Sequence, residues 1–274
     1  MGTPRGRTIA GWMILPAALV FLAFFVLPLV RLVIAGGEGP DGWAGYAVAL
    51  ADPRHLTSLA ETLILSIAVT VATLVLGGIP GLFLARNRFA GRALLVSILT
   101  LPLAFPGVVV GFMVILLAGR QGLIGQVSQL LGGDRVVFAY SMSGLFLGYV
   151  YFSIPRVVLT VMASAEKLDA QLEEAARSLG ASPWRVFCDV ILPGLRPALI
   201  SAGAISFATS MGAFGTAFTL ATRIDVLPMV IYTEFTLGVN LAAAAGLSLT
   251  LGLVTWAALA IARQAAGAGV AAAG

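Results

Sequence analysis

The sequence predicts an all-α fold, a polytopic membrane helix bundle with six transmembrane helices. Of its 274 residues, 59% are hydrophobic and only 10% are charged, and the mean hydropathy is +1.02. Soluble domains carry about 25% charged residues, so an ordinary soluble fold is excluded. Apolar runs of about 20 residues, long enough to cross ~30 Å of hydrocarbon, recur along the chain. The arginines are unevenly distributed among the polar segments, here called joints, that connect the apolar runs, which indicates a defined orientation in the membrane.

Each apolar segment supports one span. The first follows two arginines, and because the apolar region of a signal peptide is only about 7–15 residues long, we predict an uncleaved first span. Glycine and proline break several later segments, and small residues recur four apart at Gly107 and Gly111. This pattern favours close helix packing and is also typical of broken helices that line a cavity. The six predicted spans are residues 9–35, 60–85, 93–118, 136–163, 194–221 and 239–262.

Lysine and arginine set the predicted orientation, because cytoplasmic joints hold them in excess. With the N-terminus inside, eleven of the 16 basic residues lie on or toward the inner side and five lie on the outer side. Both termini and the joint at 165–193 are therefore predicted to be cytoplasmic. The inner residues are Arg5, Arg7, Arg86, Arg88, Arg92, Arg156, Lys167, Arg177, Arg185, Arg196 and Arg263, and the outer residues are Arg31, Arg54, Arg120, Arg135 and Arg223.

Arg156 lies inside the fourth apolar run, about ten residues before Glu166. At helical rise it lies about 15 Å from the inner boundary of the membrane. An arginine at such a depth is a candidate functional residue. The interpretation that the sequence favours is that its side chain extends to the inner interface.

The joint at 165–193, which we call the elbow, is polar, and its sequence predicts two short helices that meet at a glycine. Gly180 can end the first helix because it accepts a positive φ. Ser182-Pro183 can begin the second, with serine as N-cap and proline as the first helical residue. Glu173 stands four residues before Arg177, a spacing that favours an ion pair.

The elbow has two interpretations. Trp184 would suit an amphipathic segment that lies on lipid headgroups. Acidic residues outnumber basic ones in the segment, however, and anionic lipid would repel them. A soluble protein partner is therefore the favoured interpretation.

The elbow also resembles a family motif. The Glu-Ala-Ala tripeptide at 174–176, Gly180 and the Leu-Pro pair at 192–193 have the spacing of the EAA motif of inner-membrane permeases of type I ABC importers. Val190 stands where isoleucine is usual. The likeness covers most of the chain and implies the type I ABC importer permease fold. It divides the sequence into residues 1–58 (N-terminal tail, first span and outer loop), residues 59–263 (permease core with five spans and the coupling loop at 165–193) and residues 264–274 (cytoplasmic tail).

The resemblance implies that the elbow is a coupling helix seated in a groove of a cytoplasmic ATPase. The implied partners are two ATP-binding subunits, which would hold ATP and Mg, a periplasmic substrate-binding protein, and a second permease subunit in a heterodimer rather than a homodimer. The implied location is the bacterial inner (plasma) membrane, as a multi-pass protein in the lipid bilayer. The predicted ATPase-coupling residues are Glu174, Ala175, Ala176, Gly180, Ala181, Ser182 and Trp184.

No catalytic, cofactor-binding or metal site is predicted within the chain. A phosphate-binding loop needs G-x-x-x-x-G-K-[ST], and Lys167, the only lysine, has no glycine-rich surroundings. His55, the only histidine, is predicted to be a solvent-exposed loop residue, and the single Cys188 is predicted to be an apolar filler. A basic stripe with interleaved aromatics is missing, which argues against nucleic acid. The chain is therefore predicted to be a permease subunit without its own ATPase site.

The substrate prediction depends on residues 206–216 at the outer end of the fifth span. They resemble those of permeases for polyamines, ferric iron, thiamine, phosphonates, sulfate and molybdate, although many members carry glutamate where this chain has Ala213. The spermidine/putrescine-type branch is preferred, and an anion, ferric iron, thiamine or phosphonate is the alternative. One stripe is predicted to line the translocation pathway, or else to pack against another span. Its residues are Ser206, Ser210, Met211 and Phe214.

Two other classes of membrane protein are alternatives. An ion-coupled secondary transporter would need titratable residues in mid-span, and Arg156 is the only one found there. A channel or structural membrane subunit would not need the elbow.

Overall fold

The computed structural model describes residues 14–220 and 224–266, and every regular element in those ranges is a helix. The predicted all-α fold is confirmed. The predicted tail before residue 14, the end of the chain beyond residue 266 and Arg223 lie outside the described residues. Within them the helices are α1 (Ile14–Gly37), α2 (Gly45–Ala51), α3 (Pro53–Arg86), α4 (Arg92–Thr100), α5 (Gly107–Ala118), α6 (Leu123–Leu130), α7 (Met142–Ala165), α8 (Ala170–Ser178), α9 (Pro183–Met211), α10 (Gly215–Leu220), α11 (Leu227–Thr236) and α12 (Leu241–Ala266).

Six helical segments in the described part of the chain are long and apolar enough to cross a membrane, as the sequence predicts. The bounds of two of them differ most from the predicted spans: α3 begins at Pro53 and not at residue 60, and α9 begins at Pro183 and ends at Met211, whereas the predicted fifth span is 194–221. The six segments are Ile14–Gly37, Pro53–Arg86, Gly107–Leu130, Met142–Ala165, Pro183–Met211 and Leu241–Ala266.

The third predicted span, 93–118, is wrong in its boundaries. The structure has the short helix α4, a 3-10 turn at Leu101–Ala104 and then α5, which begins at Gly107. Phe105 is extended, with φ −96° and ψ 127°, because the ring of Pro106 disfavours a helical residue before it. The break therefore separates the short helix α4 from the spanning segment that starts at α5.

The helices form two compact units. Within the described residues, one unit comprises residues 14–56 and 230–250, and the other comprises residues 57–220, 224–229 and 251–266. In the second unit α5, α7 and α10 pack around a core whose largest fully buried side chain is that of Tyr149. The Tyr149 hydroxyl donates a hydrogen bond to the backbone oxygen of Ala213, so the polar atom of this ring is satisfied.

Glycines allow the helices of the second unit to approach closely. A Cβ atom at Gly111 of α5 would lie 2.6 Å from the Cβ atom of Thr219 in α10. A Cβ atom at Gly148 of α7 would lie 2.8 Å from a methyl group of Thr216 in α10. The predicted packing role of small residues is therefore confirmed at Gly111.

The first unit contains the histidine, whose predicted exposure is wrong. His55 lies in the first turn of α3 and is buried. Its Nδ1 is 2.7 Å from the backbone oxygen of Ala49, and its Nε2 is 3.8 Å from a carboxylate oxygen of Glu234. The sequence shows an isolated histidine in a polar joint, and only the fold brings α11 beside it.

Candidate functional site

The elbow is a helix–glycine–helix passage, as predicted. At the end of α8 the amide of Ala181 donates to the oxygen of Ala176 at 3.1 Å, and the amide of Gly180 donates to the oxygen of Arg177 at 2.9 Å. Gly180 has a φ of +84°, the left-handed conformation that glycine adopts without a Cβ clash. Ser182 Oγ then accepts the amide of Arg185 at 3.4 Å and caps α9.

The elbow presents apolar side chains that the described residues leave uncovered. Leu179 is 89% exposed and Trp184 is 71% exposed, and the Trp184 ring stacks on Phe187 with centroids 5.7 Å apart. Exposed apolar side chains on a rigid support are typical of protein contact sites. The coupling role remains a prediction for all seven residues, of which Glu174, Ala175, Gly180, Ser182 and Trp184 are exposed and Ala176 and Ala181 are half-buried.

Two ion pairs join the elbow to the ends of other helices. Glu173, on the buried face of α8, pairs with Arg86 at the end of α3. Glu166 pairs with Arg92 at the start of α4, with 2.8 Å between their side-chain atoms. The prediction that Glu173 pairs with Arg177 is wrong, because the buried face of α8 brings Arg86 to this carboxylate. Sequence reasoning missed both pairs since their partners lie on distant helices.

The helix α9 connects the elbow with the opposite end of the bundle. It runs for 29 residues, about 43 Å at helical rise, with a π-helical turn at Phe187–Ile191. It packs along α7 through Val157, Val161 and Ala202, which are fully buried. One continuous helical segment therefore joins the elbow to the residues at the far end of α9.

Those residues line a cavity of about 320 Å³. Its walls come from the turn before α5, the first residues of α5 and α10, the middle of α7 and the last turn of α9. Most lining side chains are small or apolar. Thr209, Gly212 and Ala213 contribute from the α9 end, and Phe152 and Arg156 contribute from α7.

Arg156 points into this cavity and not to the inner interface, so the interpretation favoured from the sequence is wrong. Its guanidinium carbon lies 6.0 Å from the ring centroid of Phe152, one turn earlier on α7. The Nη1 atom is buried and has no hydrogen-bond partner among the described residues. Helical side chains lean toward the N-terminus of their helix, which directs Arg156 away from the elbow.

The predicted pathway stripe lies beside the cavity and does not line it. Ser206, Ser210 and Met211 are buried within the subunit, and Phe214 is half-buried. Ser206 Oγ is 3.1 Å from the hydroxyl of Thr73 on α3. The cavity uses the neighbouring positions of the same helix, and the pathway role of these four residues remains a prediction.

Comparisons with known proteins agree with this architecture. The family of the binding-protein-dependent transport system inner membrane component matches residues 74–267, and the chain belongs to this family. The molybdenum transport system permease protein ModB of Escherichia coli (strain K12) is 37% identical over 188 residues, which are 67% of this chain and 81% of that protein. The sulfate transport system permease protein CysT of the same strain is 34% identical over 211 residues, which are 77% of this chain and 74% of that protein.

A solved structure shows the same fold. A chain in the crystal structure of a bacterial alginate ABC transporter, in complex with an alginate pentasaccharide-bound periplasmic protein, superimposes with a TM-score of 0.82. The alignment covers 95% of this chain and 94% of that chain, at 18% sequence identity. The predicted type I ABC importer permease fold is thereby confirmed.

The chain is thus a multi-pass permease subunit of the ABC importer type for a small solute. The alternative of an ion-coupled secondary transporter loses its support. The preference for a spermidine/putrescine-type substrate is not supported by these relatives, whose names refer to molybdenum and sulfate. The anion alternative is closer to them.

Proposed function

We propose that this chain is the permease subunit for a small tetrahedral oxyanion of the sulfate or molybdate kind. A periplasmic binding protein delivers the anion, and ATP hydrolysis in partner subunits drives its import. The observation that carries this proposal is the identity of 37% and 34% with molybdenum and sulfate permeases across most of the chain. An arginine inside the transmembrane cavity agrees with an anionic solute and disfavours a polyamine.

The elbow supports the coupling part of the proposal. Leu179 and Trp184 form an exposed apolar knob that fits a groove on a cytoplasmic ATPase. The ion pair between Glu173 and Arg86 keeps the knob in a set position relative to α3. Movement of the ATPase would then move the elbow as a unit, and α9 would carry the movement to the cavity.

The proposed assembly gives this chain three kinds of partner subunit. Two cytoplasmic ATP-binding subunits hold ATP and Mg, because no phosphate-binding loop occurs in this sequence. A second permease subunit, different from this one, completes the pathway, and a periplasmic binding protein docks on the outer side. Both termini are cytoplasmic in this arrangement, and the complex lies in the bacterial inner membrane.

Uptake by the reconstituted complex tests the proposal. The permease, its ATPase and its binding protein are placed in proteoliposomes, and uptake of radiolabelled sulfate, molybdate and putrescine is followed with and without ATP. We expect ATP-dependent uptake of at least one oxyanion and no uptake of putrescine. Uptake of putrescine without either oxyanion would contradict the proposed substrate.

A further inference from the structure

We propose that the cavity around Arg156 is an oxyanion-binding site within the permease itself. The site takes a tetrahedral dianion such as sulfate or molybdate as it passes through the membrane. The choice of anion rests on the proposed function, whereas the site itself is argued from the residues that line the cavity in this chain. The binding protein would then not be the sole source of selectivity.

Arg156 carries a charge that no described residue neutralises. No ion pair reaches its guanidinium within residues 14–220 and 224–266, and its Nη1 is buried without a hydrogen-bond partner. No acidic side chain is among the residues that line the cavity. An uncompensated charge at membrane depth is costly, and it is retained where function requires it. A mobile anion in the cavity is the counter-charge that the geometry provides room for.

The hydrogen-bond donors of the cavity favour an anion with several oxygens. The Thr209 hydroxyl donates to the backbone oxygen of Ile205 at 2.7 Å, and the Thr216 hydroxyl donates to that of Gly107 at 2.9 Å. Each hydroxyl has one hydrogen, so neither can also donate to a ligand. The guanidinium of Arg156 is therefore the remaining side-chain donor of the cavity. Its two parallel N–H groups match two oxygens of an oxyanion.

The first turn of α5 adds backbone amides at the same cavity. The first residues of a helix have amides without an intrahelical acceptor, and the partial positive charge of that end attracts anions. Gly107 and Val108 belong to this turn and line the cavity. A Cβ atom at Gly107 would lie 3.1 Å from Thr216 Oγ1, so glycine is what permits this close crossing with α10.

The size of the cavity and its place on α9 agree with a transient site. Its volume of about 320 Å³ lies at the lower end of the range for small-molecule sites, about 300–1,000 Å³. Thr209 and Gly212 lie at the end of the helix that begins at the elbow. A movement of the elbow therefore changes the walls of the site, which would release the anion when the ATPase changes state.

The main test removes the charge of Arg156 and measures uptake of sulfate and molybdate by the reconstituted complex in proteoliposomes. We expect Arg156→Gln to weaken uptake about 10- to 100-fold, the effect of losing hydrogen bonds to a charged group. Arg156→Lys keeps the charge but lacks the paired N–H groups of the guanidinium, so we expect a KM between those of the wild type and Arg156→Gln. The matched control is Arg196→Gln, because Arg196 is an exposed arginine of α9 that does not line the cavity.

A second pair of variants adds a charge without touching the arginine. Thr209 lines the cavity, so Thr209→Glu supplies a fixed carboxylate beside Arg156 and should abolish oxyanion uptake. Thr209→Gln has nearly the same size as Thr209→Glu without the charge and should retain most of the uptake. Equal losses in both variants would show that bulk and not charge matters, which would overturn the site.

Direct binding distinguishes the possible sources of the anion. The purified permease–ATPase complex, without binding protein, is dialysed against radiolabelled sulfate, and binding that disappears in Arg156→Gln but not in Arg196→Gln is expected. Phospholipid that co-purifies with the wild type and not with Arg156→Gln, in place of sulfate, would assign the arginine to a lipid phosphate. Absence of both would assign it to a carboxylate of the second permease subunit. Either result would overturn the proposal.

The outcomes separate this site from the proposed function. If the wild-type complex imports neither sulfate nor molybdate, the proposed substrate fails. If it imports one of them and Arg156→Gln equals Arg196→Gln in KM and maximal uptake, only the site fails. Co-purification of the ATPase with each variant shows that a loss of uptake is not a loss of assembly.

Discussion

Gly180 is the residue on which the shape of the elbow depends. Its φ of +84° is strained for most residues with a Cβ atom, although no atom of the described residues beyond its chain neighbours lies within 4 Å of the position that a Cβ would occupy. Substitutions at this position can therefore separate two effects. Backbone strain acts within the subunit, whereas the bulk of a side chain acts only on the approach of a partner.

We expect Gly180→Asn, which tolerates the left-handed conformation, to retain the ATPase, and Gly180→Ala to destabilise the elbow by about 1 kcal/mol. Gly180→Trp should lose the ATPase, since its ring would project from the exposed face where a partner must approach. Co-purification of the ATPase and ATP-driven uptake measure both effects. Full retention of the ATPase by Gly180→Trp would remove Gly180 from the predicted contact.

The ion pair between Glu173 and Arg86 is predicted to stabilise the elbow. Glu173 is buried, and breaking the pair leaves one partner without its counter-charge. We expect Glu173→Gln and Arg86→Gln each to cost about 1–3 kcal/mol and the double variant to cost less than their sum. Thermal unfolding of the purified complex measures this coupling. Strictly additive losses would show that the pair does not stabilise the elbow.

The crossing of α5 and α10 is a crowded contact between helices of the second unit. At Gly111 a Cβ atom would lie 2.6 Å from the Cβ of Thr219, which cannot rotate away. Gly111→Ala is therefore expected to destabilise the subunit by about 1–3 kcal/mol, because the helices must separate. Gly252→Ala in α12 is the control, since no atom of another described element lies within 4 Å of the new methyl group. A lower melting temperature is expected for Gly111→Ala alone, and equal values would contradict the close crossing.

The break before α5 shows what a hydropathy pattern misses. Residues 93–118 contain no charged side chain and are mostly apolar, so the pattern predicts one continuous span. The proline at 106 interrupts it, and the preceding residue is extended. The break exposes the first turn of α5, and that turn then forms part of the cavity wall. The proline at 106 thus decides where the spanning helix begins.

The orientation of the whole chain is a prediction that the fold does not test. Eleven of 16 basic residues lie toward the predicted inner side. Reporter fusions after Gly39, Gly132 and Asp225 should report the outside, and fusions after Arg92 and Ala181 should report the inside. A reporter on the outside after Ala181 would contradict the cytoplasmic elbow and with it the coupling role.

The sequence by itself determined the class of this protein. Six apolar segments, a one-sided distribution of arginine and a helix–glycine–helix motif are local or compositional properties, so they can be read without knowledge of contacts. The conformation of Gly180 and the cap at Ser182 were predictable for the same reason, because they depend on a few neighbouring residues.

Only the tertiary structure decided where charges find their partners and where the cavity lies. Glu173 pairs with Arg86 and His55 lies near Glu234, both across long stretches of sequence. The surroundings of Arg156 likewise follow from packing, because the other helices that line the cavity reach it only in the folded chain. The cavity forms where four helices meet, and each contributes only a few residues that look like ordinary packing positions in the sequence. Local patterns determine helices, whereas sites depend on contacts between residues that only the folded chain brings together.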